Sequence, residues 1–151
     1  MKRIVFSLIV LMMGAANMMA QTVDDLFKEY KDKDHVECIN IPKAMMSMAS
    51  GFVKNEDGGQ LVKKIDHIRI LNIEDDTALC KSFAEKAMSL SKKGYETMVN
   101  SSEDNEKTLI LVKTKGEAIT EMVILNIEPA ECNLIQMKGK FKSSDVEKMV
   151  N

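Results

Sequence analysis

Apolar residues recur along this chain at two spacings, and each change of spacing marks a predicted change of secondary structure. Val23, Leu26, Phe27 and Tyr30 fall at i, i+3, i+4 and i+7, one face of a helix. Thr22 stands before them as a cap, and Asp24 and Asp25 occupy the first turn, where the helix dipole favours acids. A first helix is therefore predicted over residues 22–31. Residues 36–41 are rich in β-branched and apolar side chains and stop at Pro42, which cannot donate to a ladder but suits a helix start. A second helix follows with Met45, Met48, Ala49 and Phe52 as its apolar stripe, broken by the polar and glycine run 55–59, the expected mobile loop.

Residues 65–73 form a second predicted strand, with Ile68 and Ile70 on one face and Ile65, Leu71 and Ile73 on the other, as a central strand requires. Asp75, Asp76 and Thr77 cap a third helix whose stripe is Leu79, Phe83, Ala87 and Leu90 and whose end is marked by Lys92, Lys93 and Gly94. Four strands then follow over residues 95–100, 108–114, 119–127 and 133–141, separated by the loop 101–105, by Lys115 and Gly116, and by residues 128–130. Links this short join only antiparallel neighbours. Ser144 and Glu147 carry the spacing of a capping box for a short C-terminal helix. The fold class expected is α+β: a single mixed or mostly antiparallel sheet with helices packed on one face. Its order is αβαβα, then a four-strand meander and the terminal helix.

The first residues add an address. Lys2 and Arg3 precede the apolar run Ile4 to Met13 and a small-residue segment ending at Ala20, the pattern of a secretory signal peptide. The run is roughly 10 residues, against about 20 for a membrane-spanning helix. Cleavage is expected between Ala20 and Gln21, with a cut after Ala16 as the alternative, so that residues 1–20 are the signal peptide and 21–151 one domain. A lipid anchor needs a cysteine just after the cut, and the first is Cys38. The product is thus expected to be soluble, periplasmic or secreted, with no stable membrane insertion after cleavage.

Loss of Lys2 and Arg3 lowers Lys+Arg from 21 to 19 against 23 Asp+Glu, a mature charge of about −4. Acids and lysines are interleaved, with no basic stripe to neutralise phosphates, so nucleic acid is not an expected partner. Three cysteines, Cys38, Cys80 and Cys132, enter an oxidising compartment at spacings that match no CxxC or zinc pattern. They leave three readings open: small buried hydrophobes, one internal disulfide, or a functional thiol.

Candidate chemistry is sparse. His35 and Cys38 alternate onto opposite strand faces and lack the further ligands zinc requires. No GxSxG elbow occurs. Met45, Met46 and Met48 could ligate Cu(I) through thioethers, but Met45 and Met48 belong with Ala49 and Phe52 to the helical stripe expected to face the sheet, which favours packing. Glu74, Asp75 and Asp76 lack the alternate spacing and central glycine of a calcium loop. Asp76-Thr77-Ala78 fits a short acceptor pattern for O-glycosylation at Thr77, alongside its plainer reading as a helix cap. No catalytic, metal or cofactor residue is assigned.

Ile41-Pro42-Lys43 before a Met-rich helix, Ile65-Asp66 followed by Ile68-Arg69-Ile70-Leu71, Gly94-Tyr95-Glu96, and Ile135-x-Met137-Lys138-Gly139 occur together in this order. In them the chain resembles the domain of unknown function 4252 family, from about Leu26 to Phe141. The resemblance implies an α+β fold and an exported protein of the Bacteroidota cell envelope; its motifs place turns, strands and caps and transfer no catalytic residue. The function expected is a non-enzymatic envelope module that binds another envelope protein or component through a sheet face or edge. The alternatives are a small enzyme using carboxylates and cations such as Asp66 and Arg69, and a carrier whose apolar cavity is lined by Met45, Met48 and Phe52.

Overall fold

The computed structural model describes residues 22–50 and 56–150. The expected signal peptide and its expected Ala20/Gln21 cleavage site, together with Phe52 and Asn55, lie outside them. In chain order the elements are α1 (Val23–Tyr30), β1 (Val36–Pro42), α2 (Lys43–Ser50), α3 (Glu56–Lys64), β2 (Ile65–Ile73), α4 (Thr77–Met88) with a 3-10 turn (Ser89–Lys92), β3 (Glu96–Glu103), β4 (Glu106–Lys115), β5 (Ala118–Ile127), β6 (Cys132–Phe141) and α5 (Ser143–Val150). The six strands make one antiparallel sheet in the order β1-β2-β6-β5-β4-β3. After β2 the chain passes through α4 to the far edge, and the β3 to β6 meander returns until β6 pairs with β2. The α+β class and the meander agree with the pattern of the sequence.

Register explains the core. Leu71, Leu134, Leu125 and Leu109 pair in one row across β2, β6, β5 and β4, and the next row, Ile70, Ile135, Ile124 and Ile110, points the opposite way. Successive apolar positions leave both faces in need of cover, so the helices divide. On the leucine face α1 and α4 bring Leu26, Phe27, Tyr30, Cys80, Phe83 and Leu90. On the isoleucine face α2, α3 and α5 bring Met46, Leu61, Val62 and Val146. The expectation of helices on one face is thereby corrected.

Local differences have local causes. Met46, not Met45 or Met48, is the buried methionine of α2; Met45 and Met48 stay 55% and 73% exposed. Methionine and alanine occupy several sides of this helix, so its stripe is ambiguous until β1 and Pro42 fix the rotation. Where a break was expected at 55–59, the chain is helical from Glu56 on, because burial of Leu61 and Val62 outweighs the glycine pair. A bulge between Ile65 and His67 puts Ile65 in the same cluster as Ile68, reversing its expected side. Residues 101–103 extend β3, and the β3-β4 turn shrinks to Asp104 and Asn105, with Asp104 at φ 53°. The terminal helix is capped two residues earlier than expected: the Lys142 N–H donates to the Asp145 carboxylate over 2.8 Å.

Gly139 of the closing motif has a steric reason. A Cβ there would lie 2.1 Å from the Lys64 backbone oxygen, so only glycine lets β6 pass beneath the end of α3. The cysteine question resolves as one bridge, Cys80 to Cys132 with Cα atoms 5.9 Å apart, which ties α4 to the start of β6; Cys38 is free and exposed.

Phe83 is fully buried, edge-to-face with Tyr30 at 5.3 Å between centroids. Phe83→Ala is expected to cost about 3–5 kcal/mol in urea unfolding; a loss below about 1 kcal/mol would remove α4 from the core.

Candidate functional site

Beyond the leucine row, the α1 face of the sheet turns polar on β1, β2 and β6, while Val123 and Leu111 continue the core on β5 and β4. Asn40, Arg69 and Gln136 pair across β1, β2 and β6, where a core row would have carried aliphatics. Gln136 and Glu121 are 3% and 8% exposed, and burial of such groups costs free energy unless their hydrogen bonds are made. They are made in series. Tyr95 Oη donates to Glu121 Oε2, Gln136 Nε2 donates to Glu121 Oε1 over 2.6 Å, and Arg69 Nε donates to Gln136 Oε1 over 2.8 Å. Arg69 Nη2 then reaches Asp24 Oδ1 at 2.5 Å, and its guanidinium lies 4.4 Å from the centroid of the Phe27 ring.

This relay fixes a cation at the foot of a hollow. Asp24, Phe27, Lys28 and Lys31 of α1 form one wall, Cys38, Ile39 and Asn40 of β1 the other, and Arg69 the base, around about 260 Å³. The hollow opens beside the outer edge of β1, which no strand among the described residues covers. Charge perturbations follow from this arrangement. The hydrogen bond from Arg69 holds the Asp24 carboxyl below its usual range against partial burial. Burial, then the Asp32 carboxylate, pushes the Cys38 thiol up, with Lys31 and Arg69 opposing. His67, bonded to Asn40, is lowered by burial and by Arg69 and Lys138. Tyr95 is driven far up by burial and by its bond to Glu121, so it remains a neutral donor.

The candidate residues of the sequence disperse. Asp66 pairs with Lys43 at 2.8 Å while Arg69 pairs with Asp24, so the two groups of the enzyme alternative do not meet. His35 sits in a turn at φ 67°, its carbonyl accepting from the Glu74 N–H, and His67 is bonded to Asn40; among the described residues no three His, Cys, Asp or Glu side chains group to hold a metal. Glu74 accepts from Asn72 and Asp76 caps the Leu79 N–H, each at 2.9 Å. Met45 and Met48 are exposed, and Phe52, the third residue expected to line an apolar cavity with them, lies outside the described residues. Thr77 is exposed in the first turn of α4, on the rim of a second hollow with Lys81, Glu85, Asn105 and Glu128. Tyr95, Glu121 and Gln136 were not singled out from the sequence. For Glu121 and Gln136 the signal was a polar residue beside or within an apolar run, Glu121 before Met122 to Leu125 in β5 and Gln136 between Ile135 and Met137 in β6.

The molecule is thus a small α+β domain with a two-faced antiparallel sheet, a buried polar relay and a cationic hollow at one sheet edge. Over residues 30–149 it matches the domain of unknown function DUF4252, and it belongs to that family. No curated protein matches it.

Cys38 is the probe of this hollow. Its alkylation by iodoacetamide should be slow at pH 8 and should titrate above the ordinary thiol value, because burial and Asp32 both disfavour the thiolate. Asp32→Asn should lower that midpoint and Lys31→Gln raise it, as followed by intact mass against pH; a midpoint at or below the ordinary value contradicts the assigned environment.

Proposed function

We propose that this chain is an exported, non-enzymatic recognition domain of the cell envelope that binds another envelope protein by accepting an extended segment along β1. The observation that carries the reading is the difference between the two sheet edges. β3 is blunted: it is bulged between Thr97 and Val99 and bears Glu96, Ser101, Ser102 and Glu103. β1 pairs with β2 from Val36 to Pro42 without a register shift, carries no lysine, leaves Ile39 42% exposed and adjoins the hollow under α1. An unbulged edge offers backbone donors and acceptors that a partner strand can complete, and a flanking hollow can take its side chains.

Export rests on the basic start, short apolar run and small residues before Gln21. Among the described residues no helix is long and apolar enough to cross a membrane. Intact mass of the cell-exported product should correspond to a chain beginning at Gln21; retention of Met1 contradicts export by this route.

The docking edge has its own test. Backbone donors alternate between the two sides of a strand, so one of Ile39→Pro and Asn40→Pro removes an outward-facing N–H and the other removes a bond to β2. The outward variant should keep the thermal midpoint of the parent and lose the protein captured by cross-linking in the envelope. Undiminished capture by both variants overturns the reading, as does reproducible substrate turnover abolished by one fold-preserving substitution.

A further inference from the structure

We infer that the segment accepted by β1 alternates acidic and aliphatic side chains, the acids facing α1 and the aliphatics facing away from it. The inference rests on strand addition at β1 and adds the partner's chemistry. A strand laid beside β1 presents successive side chains to opposite faces, so each face of the edge selects every second residue. On the α1 face the wall is cationic. Lys28 and Lys31 line it and Arg69 forms its base, while its one acid, Asp24, is joined to Arg69. This concentration of positive charge stands in a chain with a mature charge of about −4, and it faces a hollow of about 260 Å³ whose remaining lining is Phe27, Cys38, Ile39 and Asn40. A carboxylate entering there meets three cations, Lys28, Lys31 and Arg69, against Asp24 of the lining and the nearby Asp32; an ammonium would meet a net like charge.

The opposite face selects differently. Ile39 begins the row Ile39, Ile70, Ile135, Ile124 and Ile110, and Ile41 packs with the cluster under α2. Ile39 is exposed because the row ends at the edge. An aliphatic residue on the added strand lengthens the row by one member and removes Ile39 from water. The two faces together specify a period-2 pattern of acid and aliphatic.

The probes are eight-residue peptides, acetylated and amidated, alternating valine with glutamate, lysine or serine, tested by fluorescence polarisation and by protection of Cys38 from iodoacetamide. The glutamate peptide should bind about tenfold more tightly than the lysine peptide at low salt, the preference should weaken as salt rises, and the double variant Lys28→Glu, Lys31→Glu should reverse it. It should also protect Cys38, and the outward proline variant should lose both signals. Equal binding of glutamate and lysine peptides, abolished by that proline, overturns the acidic partner and leaves strand addition standing. Glutamate preference that survives both proline variants overturns strand addition and this inference with it. No binding by any of the three peptides overturns both.

Discussion

Everything in this domain follows from strands that are apolar on both sides. β5 carries Met122, Val123, Ile124 and Leu125 in succession, and β6 carries Leu134 and Ile135, so no rotation of the sheet leaves a face for water. Two helical layers are obligatory, and the chain has few helices to spend. α1 and α4 take the leucine face, held together by Tyr30 on Phe83 and by the Tyr30 to Ser82 hydroxyl contact of 2.8 Å. α2, α3 and α5 take the other. The Cys80 to Cys132 bridge fastens the first layer to the sheet at the start of β6, closing a span of 52 residues that contains the whole β3 to β5 meander. Such a cross-link acts on the unfolded chain, where it removes the freedom of a long loop, worth about 4 kcal/mol in the chain-entropy account.

The site forms where the leucine-face core gives way to polar residues on β2 and β6. Past Leu71 and Leu134 the core continues through Val123 and Leu111 on β5 and β4, while on β2 and β6 Arg69 and Gln136, and farther along β5 Glu121, stand in place of aliphatics. A charged pair alone would be a poor filling for a half-buried region, because desolvation offsets the attraction. The relay answers this by giving each carboxylate and guanidinium a partner: Tyr95 and Gln136 share Glu121, and Arg69 spans Gln136, Asp24 and the face of Phe27. With its partners fixed, Arg69 is held in place rather than free to fold back into solvent.

What the sequence made legible was what local periodicity records. α1 follows from its i, i+3, i+4, i+7 stripe and its Thr22 cap, which is a full capping box with Asp25. α4 follows from Asp76 and the run to Leu90, and the meander from turn residues at Asp104 and Gly116. What stayed hidden depends on neighbours distant in sequence. The division of helices between faces required knowing that β6 returns to β2, which no local pattern encodes. α3 forms through Gly58 and Gly59 because Leu61 and Val62 are buried by other elements. The side of α2 that turns inward is set at Pro42. The candidate site was hidden for the same reason: Asp24, Arg69, Glu121 and Gln136 are spread over about a hundred residues, and only register makes them a chain.

The edge strand shows how closely the structural and functional constraints meet. β1 is tied to the sheet on one side alone, so its stability comes from β2 and from the α2 turn that begins at Pro42, where proline is tolerated because this is an edge. A bulge or an inward lysine would have protected it from other chains, as the bulge protects β3. Instead β1 keeps regular pairing, and Arg69, held by the relay, stands beside it with Lys28 and Lys31 above. Regular backbone at an edge is an aggregation hazard unless something selects what may pair there. Under the proposed function the cationic wall would supply that selection, since a like-charged strand is repelled before its backbone can engage. A second β1 laid antiparallel beside the first would present Val36, Cys38 and Asn40 on that face, so it would bring no carboxylate to the lysines.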